Sequence, residues 1–318
     1  RAQERETVMK VNRLAASYFE KALALERAGA PFREYLRKRE LPPELVAEYR
    51  IGASLEAWDG LIKTVAKKGV KVEALERAGL AIIKDLKENR AYDRFRNRLM
   101  FPLFNAVGDI IGFAGRAMGD AMPKYMNTPE TPVFDKGKML YNLHVAKKHI
   151  GENGGLILVE GYMDVLALVK AGIRNTVASM GTALTSMQVD MIKRYCNRVY
   201  LSYDSDIAGD AASMRGIELL VDRGIDIRVL SLPKGQDPDD VIRTGGRDAY
   251  IAQVESAQGY FPYFLEKSIL KRNSSDANAL RDIILELTPL ILKSPNEILQ
   301  DEQTRFMADR LGLDEKRV

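Results

Sequence analysis

The sequence contains very little cysteine and histidine, which limits the sites that it can build. Of its 318 residues, one is cysteine, Cys196, and two are histidines, His144 and His149. A disulfide framework is therefore excluded, and so is a zinc site built from cysteines of this chain. Such sparse cysteine is typical of a reducing compartment. We expect Cys196 to be a buried structural thiol rather than a nucleophile.

Long hydrophobic runs are absent as well. No apolar stretch approaches the roughly 20 residues that a membrane helix needs, so we expect no membrane contact. The first residues, Arg1 to Glu6, contain neither the hydrophobic stretch of a signal peptide nor an initiator methionine. We therefore expect the chain to be a piece of a longer protein. A P-loop and a dinucleotide-binding glycine fingerprint are also missing.

The overall composition is that of an ordinary globular protein. Hydrophobic residues make up 46% of the chain and charged residues 29%, which argues against a disordered or fibrous protein. The length predicts about two domains. The net charge of +4 is small, so any contact with nucleic acid must come from a local basic patch.

The periodicity of apolar residues divides the chain into three regions and predicts an α/β fold, α+β overall. Region 1–150 is mixed: it begins with helices, contains a hairpin around Gly108-Asp109, and continues into a long loop over 123–143. In region 151–245, short apolar strands alternate with helices, which predicts a central parallel sheet flanked by helices. Region 246–318 reads as all-helical.

Acidic residues follow three of the predicted parallel strands. They are Glu160 after 156–159, Asp204 and Asp206 after 198–203, and Asp237, Asp239 and Asp240 after 226–232. The carboxyl ends of parallel strands lie at one edge of a sheet, so these clusters converge. Because clustered carboxylates repel one another, a hard divalent cation is the natural partner. The pattern predicts a Mg²⁺ or Mn²⁺ site.

Simpler roles compete for some of these carboxylates. Asp237 is well placed to cap a helix that has Pro238 in its first position, and Asp206 is placed to cap the helix that follows it. Asp164, four residues after Glu160, either supports the metal ligands or is only a carboxylate in the first turn of a helix. Glu160 itself is harder to explain without a partner, because it follows a buried strand.

The second candidate site is a basic stretch. Residues 84–148 contain twelve Lys or Arg and seven Asp or Glu, a net charge of +5. Arg94, Arg96 and Arg98 alternate, so an extended strand would place all three on one face. Turn-rich segments follow, with Arg116, Lys124, Tyr125, Asn127 and Lys136. This mixture suits phosphate contacts combined with base stacking, and the alternative is a solvated charged surface.

These motifs resemble a known family. The stretches 159–164, 203–209 and 237–239 resemble the three signatures of a TOPRIM domain, which primases, topoisomerases and some nucleases share. The stretches 94–102, 111–116, 123–132 and 134–141 resemble those of the bacterial DnaG-type replicative primase. The resemblance runs along most of the chain and is weakest in the helical tail.

The resemblance implies an activity and a set of roles. The family makes short RNA primers on a single-stranded DNA template from ribonucleoside triphosphates, with an RNA–DNA hybrid as product, in the bacterial cytoplasm at the replication fork. The implied metal ligands are Glu160, Asp204, Asp206, Asp237 and Asp239, the first three of them catalytic. The implied nucleotide and template contacts are Arg94, Arg96, Arg98, Arg116, Lys124, Tyr125, Asn127 and Lys136. Family members also carry a separate N-terminal zinc-binding domain and a C-terminal region that binds the replicative helicase within the primosome.

Two other functions are compatible with the same motifs. A TOPRIM nuclease or topoisomerase would use the same metal to cut DNA, and a topoisomerase also needs a strand-breaking tyrosine, for which Tyr125 is a candidate. A non-catalytic module that scaffolds a replication complex would bind DNA without a metal. The stretches between Arg94 and Tyr141 favour the primase, and the intact carboxylate clusters argue against the scaffold.

Overall fold

The protein is described here by a computed structural model, which covers residues 2–85, 90–152, 154–181, 183–203, 211–272 and 276–317. The chain folds into two compact units, Arg1–His144 and Val145–Val318. The finer division into 1–150, 151–245 and 246–318 stays a prediction.

The first unit combines helices with antiparallel strands. Its helices are α1 (Ala2–Ala24), α2 (Ala30–Lys38), α3 (Pro43–Glu48), α4 (Gly60–Ala66), α5 (Val72–Arg77) and α6 (Leu143–Ala146), which spans the division. Its strands are β1 (Gly52–Ser54), β2 (Ala81–Asp85), β3 (Arg90–Asp93), β4 (Arg98–Phe104), β5 (Ile110–Ala117) and β6 (Tyr125–Asn127). One antiparallel sheet has the order β1-β4-β5-β6, and β2 pairs with β3.

Helix α1 packs its apolar face on the four-stranded sheet. Val11, Ala15 and Phe19 are all buried on that face, at the spacing of four residues that brings side chains to one face of a helix. The ring of Phe19 meets that of Phe113 edge to face, with centroids 5.3 Å apart. Strand β1 passes so close that a Cβ on Gly52 would lie 2.5 Å from the main chain of Phe19. Glycine is therefore required there.

The predicted hairpin is confirmed as β4 and β5. Its turn depends on Asn105, whose side-chain oxygen accepts the N–H groups of Val107, Gly108 and Asp109 at 2.9–3.1 Å. The prediction of one long loop over 123–143 is wrong in part, because β6 lies within it. Strand β6 pairs with β5, Arg116 facing Tyr125.

The second unit contains the parallel sheet. Its strands are β7 (Leu156–Val159), β8 (Thr176–Ala178), β9 (Arg198–Leu201), β10 (Asp226–Val229) and β11 (Gln258–Gly259). Its helices are α7 (Tyr162–Lys170), α8 (Ser186–Lys193), α9 (Ala211–Asp222), α10 (Pro238–Glu255), α11 (Tyr260–Lys271), α12 (Ala277–Leu292) and α13 (Glu297–Leu311). The sheet order is β11-β10-β9-β7-β8, with β11 alone antiparallel.

The predicted α/β class, with its parallel sheet and helical C-terminal region, is confirmed.

Thr185 caps α8 by accepting the N–H of Gln188 at 3.1 Å. Cys196 is buried, and burial raises the pKa of its thiol, in keeping with a structural role. Among the described helices, none is long and apolar enough to cross a membrane.

Candidate active site and nucleic-acid interface

The carboxyl edge of the parallel sheet brings Glu160 next to the end of β9. Leu158 of β7 pairs with Leu201 of β9, so Glu160 is level with Tyr203, two residues beyond each partner. The hydroxyl of Tyr203 is buried, and this burial, reinforced by the charge of Glu160, raises its pKa above the ordinary value. Asp204 and Asp206 follow immediately in the sequence but lie outside the described residues.

The end of β9 is anchored on both sides just before those two aspartates. The N–H of Ser202 donates to the carbonyl of Leu158 at 3.0 Å. Tyr250 of α10, fully buried, donates its hydroxyl to Oγ of Ser202 at 2.8 Å. Sequence reasoning missed Tyr250, because no motif marks it. The position of Ser202, at the end of β9, thus depends on a helix that begins more than thirty residues later.

The Asp237–Asp240 cluster starts α10, as the capping interpretation predicted. Oδ1 of Asp237 accepts the N–H of Asp240 at 2.7 Å. Asp240 in turn bonds to Arg243, and that bond is the main reason why the pKa of Asp240 is lowered. Asp239, in the first turn of α10, differs from these two residues in its burial, since it is only 8% exposed. Capping is compatible with metal binding, since the cap uses Oδ1 of Asp237.

Asp164 occupies the first turn of α7. Its Oδ2 accepts the N–H of Gly161 at 3.0 Å, which satisfies a main-chain donor that the helix leaves open. Asp164 therefore acts as a carboxylate in the first turn of a helix, which is one of the two roles predicted for it. Support of the metal ligands by Asp164 stays a prediction.

The donor set at this edge suits a hard divalent cation, since all of the predicted ligands are carboxylates. In the part of the chain that the structure describes, however, no group of three or more His, Cys, Asp or Glu side chains is positioned to hold a metal ion. Glu160 and Asp239 are described, whereas Asp204 and Asp206 are not. Ligation by the full set therefore stays a prediction.

The prediction that Arg94, Arg96 and Arg98 share one strand face is wrong. Strand β3 ends at Asp93 and β4 begins at Arg98, and between them Asn97 has a φ of +49°. The segment between these two strands turns because its main-chain amides donate to carbonyls that belong to no strand. The N–H of Arg94, for example, donates to the carbonyl of Leu80.

Arg98 is built into the sheet. It is 5% exposed, and its Nη1 donates to the carbonyls of Gly115 and Pro123 at 3.1 and 2.9 Å. Burial lowers the pKa of its guanidinium group. These bonds tie β4 to β5 and to the chain that enters β6. We therefore expect Arg98 to shape the surface rather than to reach a phosphate.

Arg96 forms a stack with two aromatic rings, here called the Trp58 stack (Trp58, Tyr92 and Arg96). Its Cζ lies 3.9 Å from the ring centroid of Trp58 and 5.1 Å from that of Tyr92. Trp58 is 63% exposed although it is the only tryptophan of the chain. An exposed aromatic ring backed by arginine is suited to stacking on nucleic-acid bases. Sequence reasoning missed Trp58, although a lone tryptophan outside any apolar pattern was a usable signal.

A second stack surrounds Tyr35. The Cζ of Arg116 lies 4.1 Å from the Tyr35 ring centroid, and that of Arg39 lies 5.7 Å from it. Arg116 also faces Tyr125 across the β5–β6 pair. The pKa of the Tyr125 hydroxyl is raised above its ordinary value, mainly by burial.

The remaining candidates for nucleotide and template contacts differ in exposure. Lys124 is exposed, whereas Asn127 and Lys136 are partly buried. The Nε atoms of Arg94 and Arg116 are buried, and no acceptor for them lies within the described residues. A buried donor without an acceptor is costly.

Comparison with known proteins gives two family-model matches, one over the N-terminal part of the chain and one over the region of the parallel sheet. Residues 18–147 match the family model "DNA primase catalytic core, N-terminal domain", and residues 157–242 match the model "Toprim-like". A solved DnaG primase catalytic domain bound to ssDNA is 32% identical, with a TM-score of 0.86 and all of both chains covered. The chain belongs to the DnaG-type DNA primase family. Its family membership implies that it uses a divalent metal ion.

Two further relatives extend this DnaG-type assignment. The DNA primase of Clostridium acetobutylicum is 35% identical over 305 residues, which are 96% of this chain and 50% of that protein. The zinc-binding and RNA polymerase domains of the Aquifex aeolicus primase are 27% identical, with a TM-score of 0.83; 98% of this chain and 74% of that one are covered. The chain thus spans about half the length of the curated relatives that it matches.

Proposed function

We propose that this chain is the RNA-polymerising core of a bacterial primase, which makes short RNA primers on single-stranded DNA during replication. The observation that supports this most directly is the agreement along the whole chain with a DnaG catalytic domain bound to ssDNA. The carboxylate edge of the second unit and the arginine–aromatic stacks of the first are the two kinds of site that this activity needs.

In the proposed reaction, the 3′-hydroxyl of the primer attacks the α-phosphate of an incoming ribonucleoside triphosphate. A new P–O bond forms and the bond to the β-phosphate oxygen breaks, which releases pyrophosphate. Glu160, Asp204 and Asp206, with Asp237 and Asp239, would hold Mg²⁺ or Mn²⁺. A bound divalent ion lowers the pKa of the attacking hydroxyl and neutralises charge on the leaving group.

The first unit would position the substrates. Trp58 presents an exposed ring to the bases of the template, and Arg96 holds that ring from behind. Arg94 and Arg116 are partly buried and would contact phosphate oxygens through the exposed parts of their guanidinium groups. Tyr125 and Asn127 lie on β6, Lys124 directly precedes that strand, and Lys136 begins a short 3-10 helix after it. Most of these contacts are to the nucleic-acid backbone, so template affinity should depend strongly on salt.

The rest of the setting follows from the family. The product would be an RNA–DNA hybrid, made in the bacterial cytoplasm at the replication fork. A zinc-binding domain, which the Aquifex aeolicus relative has, and a region that binds the replicative helicase would act from other parts of the primosome.

The test is incorporation of labelled ribonucleotides on single-stranded DNA, with Mg²⁺ or Mn²⁺, at high protein concentration. A pre-annealed RNA primer is supplied in parallel, so that weak initiation does not hide extension. Asp204→Asn should remove most of the product while circular dichroism stays that of the wild type. Asp301→Asn, at an exposed position of α13, is the matched control and should keep full activity.

Two results would reject the proposal. Near-normal synthesis by Asp204→Asn would show that the carboxylate edge is not the active site. Nicking or relaxation of supercoiled plasmid in place of primer extension would favour the TOPRIM nuclease or topoisomerase.

A further inference from the structure

Asp93 is a buried carboxylate that bonds to the first turn of a helix elsewhere in the sequence. It ends β3 and is only 4% exposed. Its Oδ2 accepts the N–H of Leu61 at 2.8 Å, and its Oδ1 accepts the N–H of Ile62 at 3.1 Å. Both of its oxygens are thus used on the first turn of α4.

The capping role falls to Asp93 because the local candidate is engaged elsewhere. Asp59 precedes α4 directly, but its side chain makes no capping bond. It forms an ion pair with Lys63 at 2.9 Å instead. The position of the first turn of α4 relative to β3 therefore depends on Asp93.

The same residue holds two members of the Trp58 stack, Trp58 and Arg96, through its main chain. The N–H of Asp93 donates to the carbonyl of Trp58 at 2.7 Å. The carbonyl of Asp93 accepts Nη1 of Arg96 at 3.3 Å. The tryptophan and the arginine that stack on each other are thus both bonded to one residue, whose side chain is fixed by the amides of α4.

We propose that Asp93 is a positioning residue, which pre-orders the Trp58 stack for contact with single-stranded template. Pre-ordering matters because a ring that is already held loses little conformational entropy when a base stacks on it. The proposal rests on the proposed function in one respect: the Trp58 stack must touch the template.

The groups around Asp93 make its role sensitive to pH. Burial raises its pKa to about 6, the amides of Leu61 and Ile62 and the charge of Arg96 oppose that rise, and Asp59 adds to it. Tyr18 of α1 faces it as well, and burial followed by the charge of Asp93 raises the pKa of that hydroxyl. Protonation of Asp93 replaces one acceptor by an O–H donor opposite an amide donor, which loosens the first turn of α4 even though it relieves the larger cost of burying a charge.

The test uses Trp58 as its own reporter, since no other tryptophan exists in the chain. Binding of a single-stranded oligonucleotide is followed by Trp58 fluorescence and by anisotropy of a labelled strand, between pH 5 and 7.5. The variants are Asp93→Asn, Asp59→Asn as the neighbouring control, and Trp58→Phe. At pH 7.5 we expect Asp93→Asn to bind about fivefold more weakly or worse, with altered Trp58 emission, and Asp59→Asn to bind as the wild type does.

The outcomes separate the two proposals. Normal binding by Trp58→Phe would mean that the stack does not touch template, whatever Asp93 does. Weak binding by Trp58→Phe, with unchanged affinity and emission in Asp93→Asn, would overturn the positioning role alone. Should Asp93→Asn fail to fold, titration of the wild type decides. A change in Trp58 emission with a midpoint near pH 6, moved lower in Asp59→Asn, supports the proposal, and a flat profile rejects it.

Discussion

Folding changes the proton affinity of Asp93, so this one residue links stability to pH. Its pKa is raised from 3.8 to about 6 in the folded protein. The folded state therefore holds the proton at a higher pH than the unfolded chain does. The contribution of Asp93 to the free energy of unfolding is fully present below about pH 4 and is lost as the pH rises through about 6.

Asp93→Asn should remove this pH dependence. Between pH 7.5 and pH 5.0, the free energy of unfolding of the wild type should rise relative to that of the variant by about 1 kcal/mol. Urea denaturation followed by circular dichroism measures the free energy of unfolding of each protein. Subtracting the values of the variant from those of the wild type removes the contributions of all other titratable groups, because the two proteins share them. Parallel curves for the two proteins would show that Asp93 does not titrate in this range.

Arg96 and Arg98 form a matched pair, because they are two residues apart and differ chiefly in burial. Arg96→Ala should weaken binding of single-stranded DNA about tenfold and reduce the slope of log affinity against log salt by up to about 1, with stability nearly unchanged. Arg98→Ala should instead lower the free energy of unfolding by about 2 kcal/mol, because Gly115 and Pro123 lose a buried donor. If Arg96→Ala bound single-stranded DNA as tightly as the wild type does, Arg96 would belong to a solvated charged surface and not to a DNA-binding site.

The sequence could not separate these two arginines. Alternation in Arg94, Arg96 and Arg98 is what a strand produces, yet this segment turns at Asn97 and bonds to Leu80 instead. Burial of Arg98 depends on β5 and on the chain before β6, which are distant in sequence. The role of Trp58 could not be predicted for the same reason, because its stack with Arg96 forms only when β3 and α4 come together in the fold.

At the scale of the elements, strands were predictable where they are buried and long enough to show a pattern. Strand β7 is a continuous apolar run and β9 is apolar after Arg198, and the predicted parallel sheet followed from the alternation of such strands with helices. Short strands such as β1 and β11, of three and two residues, carry no period of their own and were not predicted. They are strands only because β4 and β10 supply their hydrogen-bonding partners.

The link between α10 and β9 gives a prediction at this scale. Tyr250→Phe leaves Ser202 without its buried donor, so we expect the free energy of unfolding to fall by about 1 kcal/mol. We also expect the concentration of Mg²⁺ or Mn²⁺ needed for half-maximal primer extension to rise, because Ser202 comes two residues before Asp204 in the sequence. Tyr260→Phe, in the buried network with Ser294 and Gln303, is the control. It should lose similar stability with no change in metal requirement, and equal shifts in both variants would contradict the link.

At the scale of the whole molecule, charge is distributed far from evenly. The net charge is only +4, yet acidic residues follow parallel strands of the second unit while the stretch 84–148 of the chain is basic. Topology accounts for the first feature, because parallel strands end at one edge and we expect the carboxylates that follow them to converge there. We expect such a cluster to oppose folding until a cation neutralises it. A divalent ion bound to the folded state should therefore stabilise the protein as a whole.

This stabilisation can be measured by thermal unfolding. An ion at about one hundred times its dissociation constant stabilises the folded state by about 2.7 kcal/mol, provided that it does not bind the unfolded chain. Mg²⁺ or Mn²⁺ should thus raise the melting temperature of the wild type and of Asp301→Asn by several degrees. Glu160→Gln keeps the shape of the side chain but removes one charge from the edge, so its melting temperature should rise much less. An equal rise in Glu160→Gln would place the bound ion away from this edge and would remove the metal from the proposed active site.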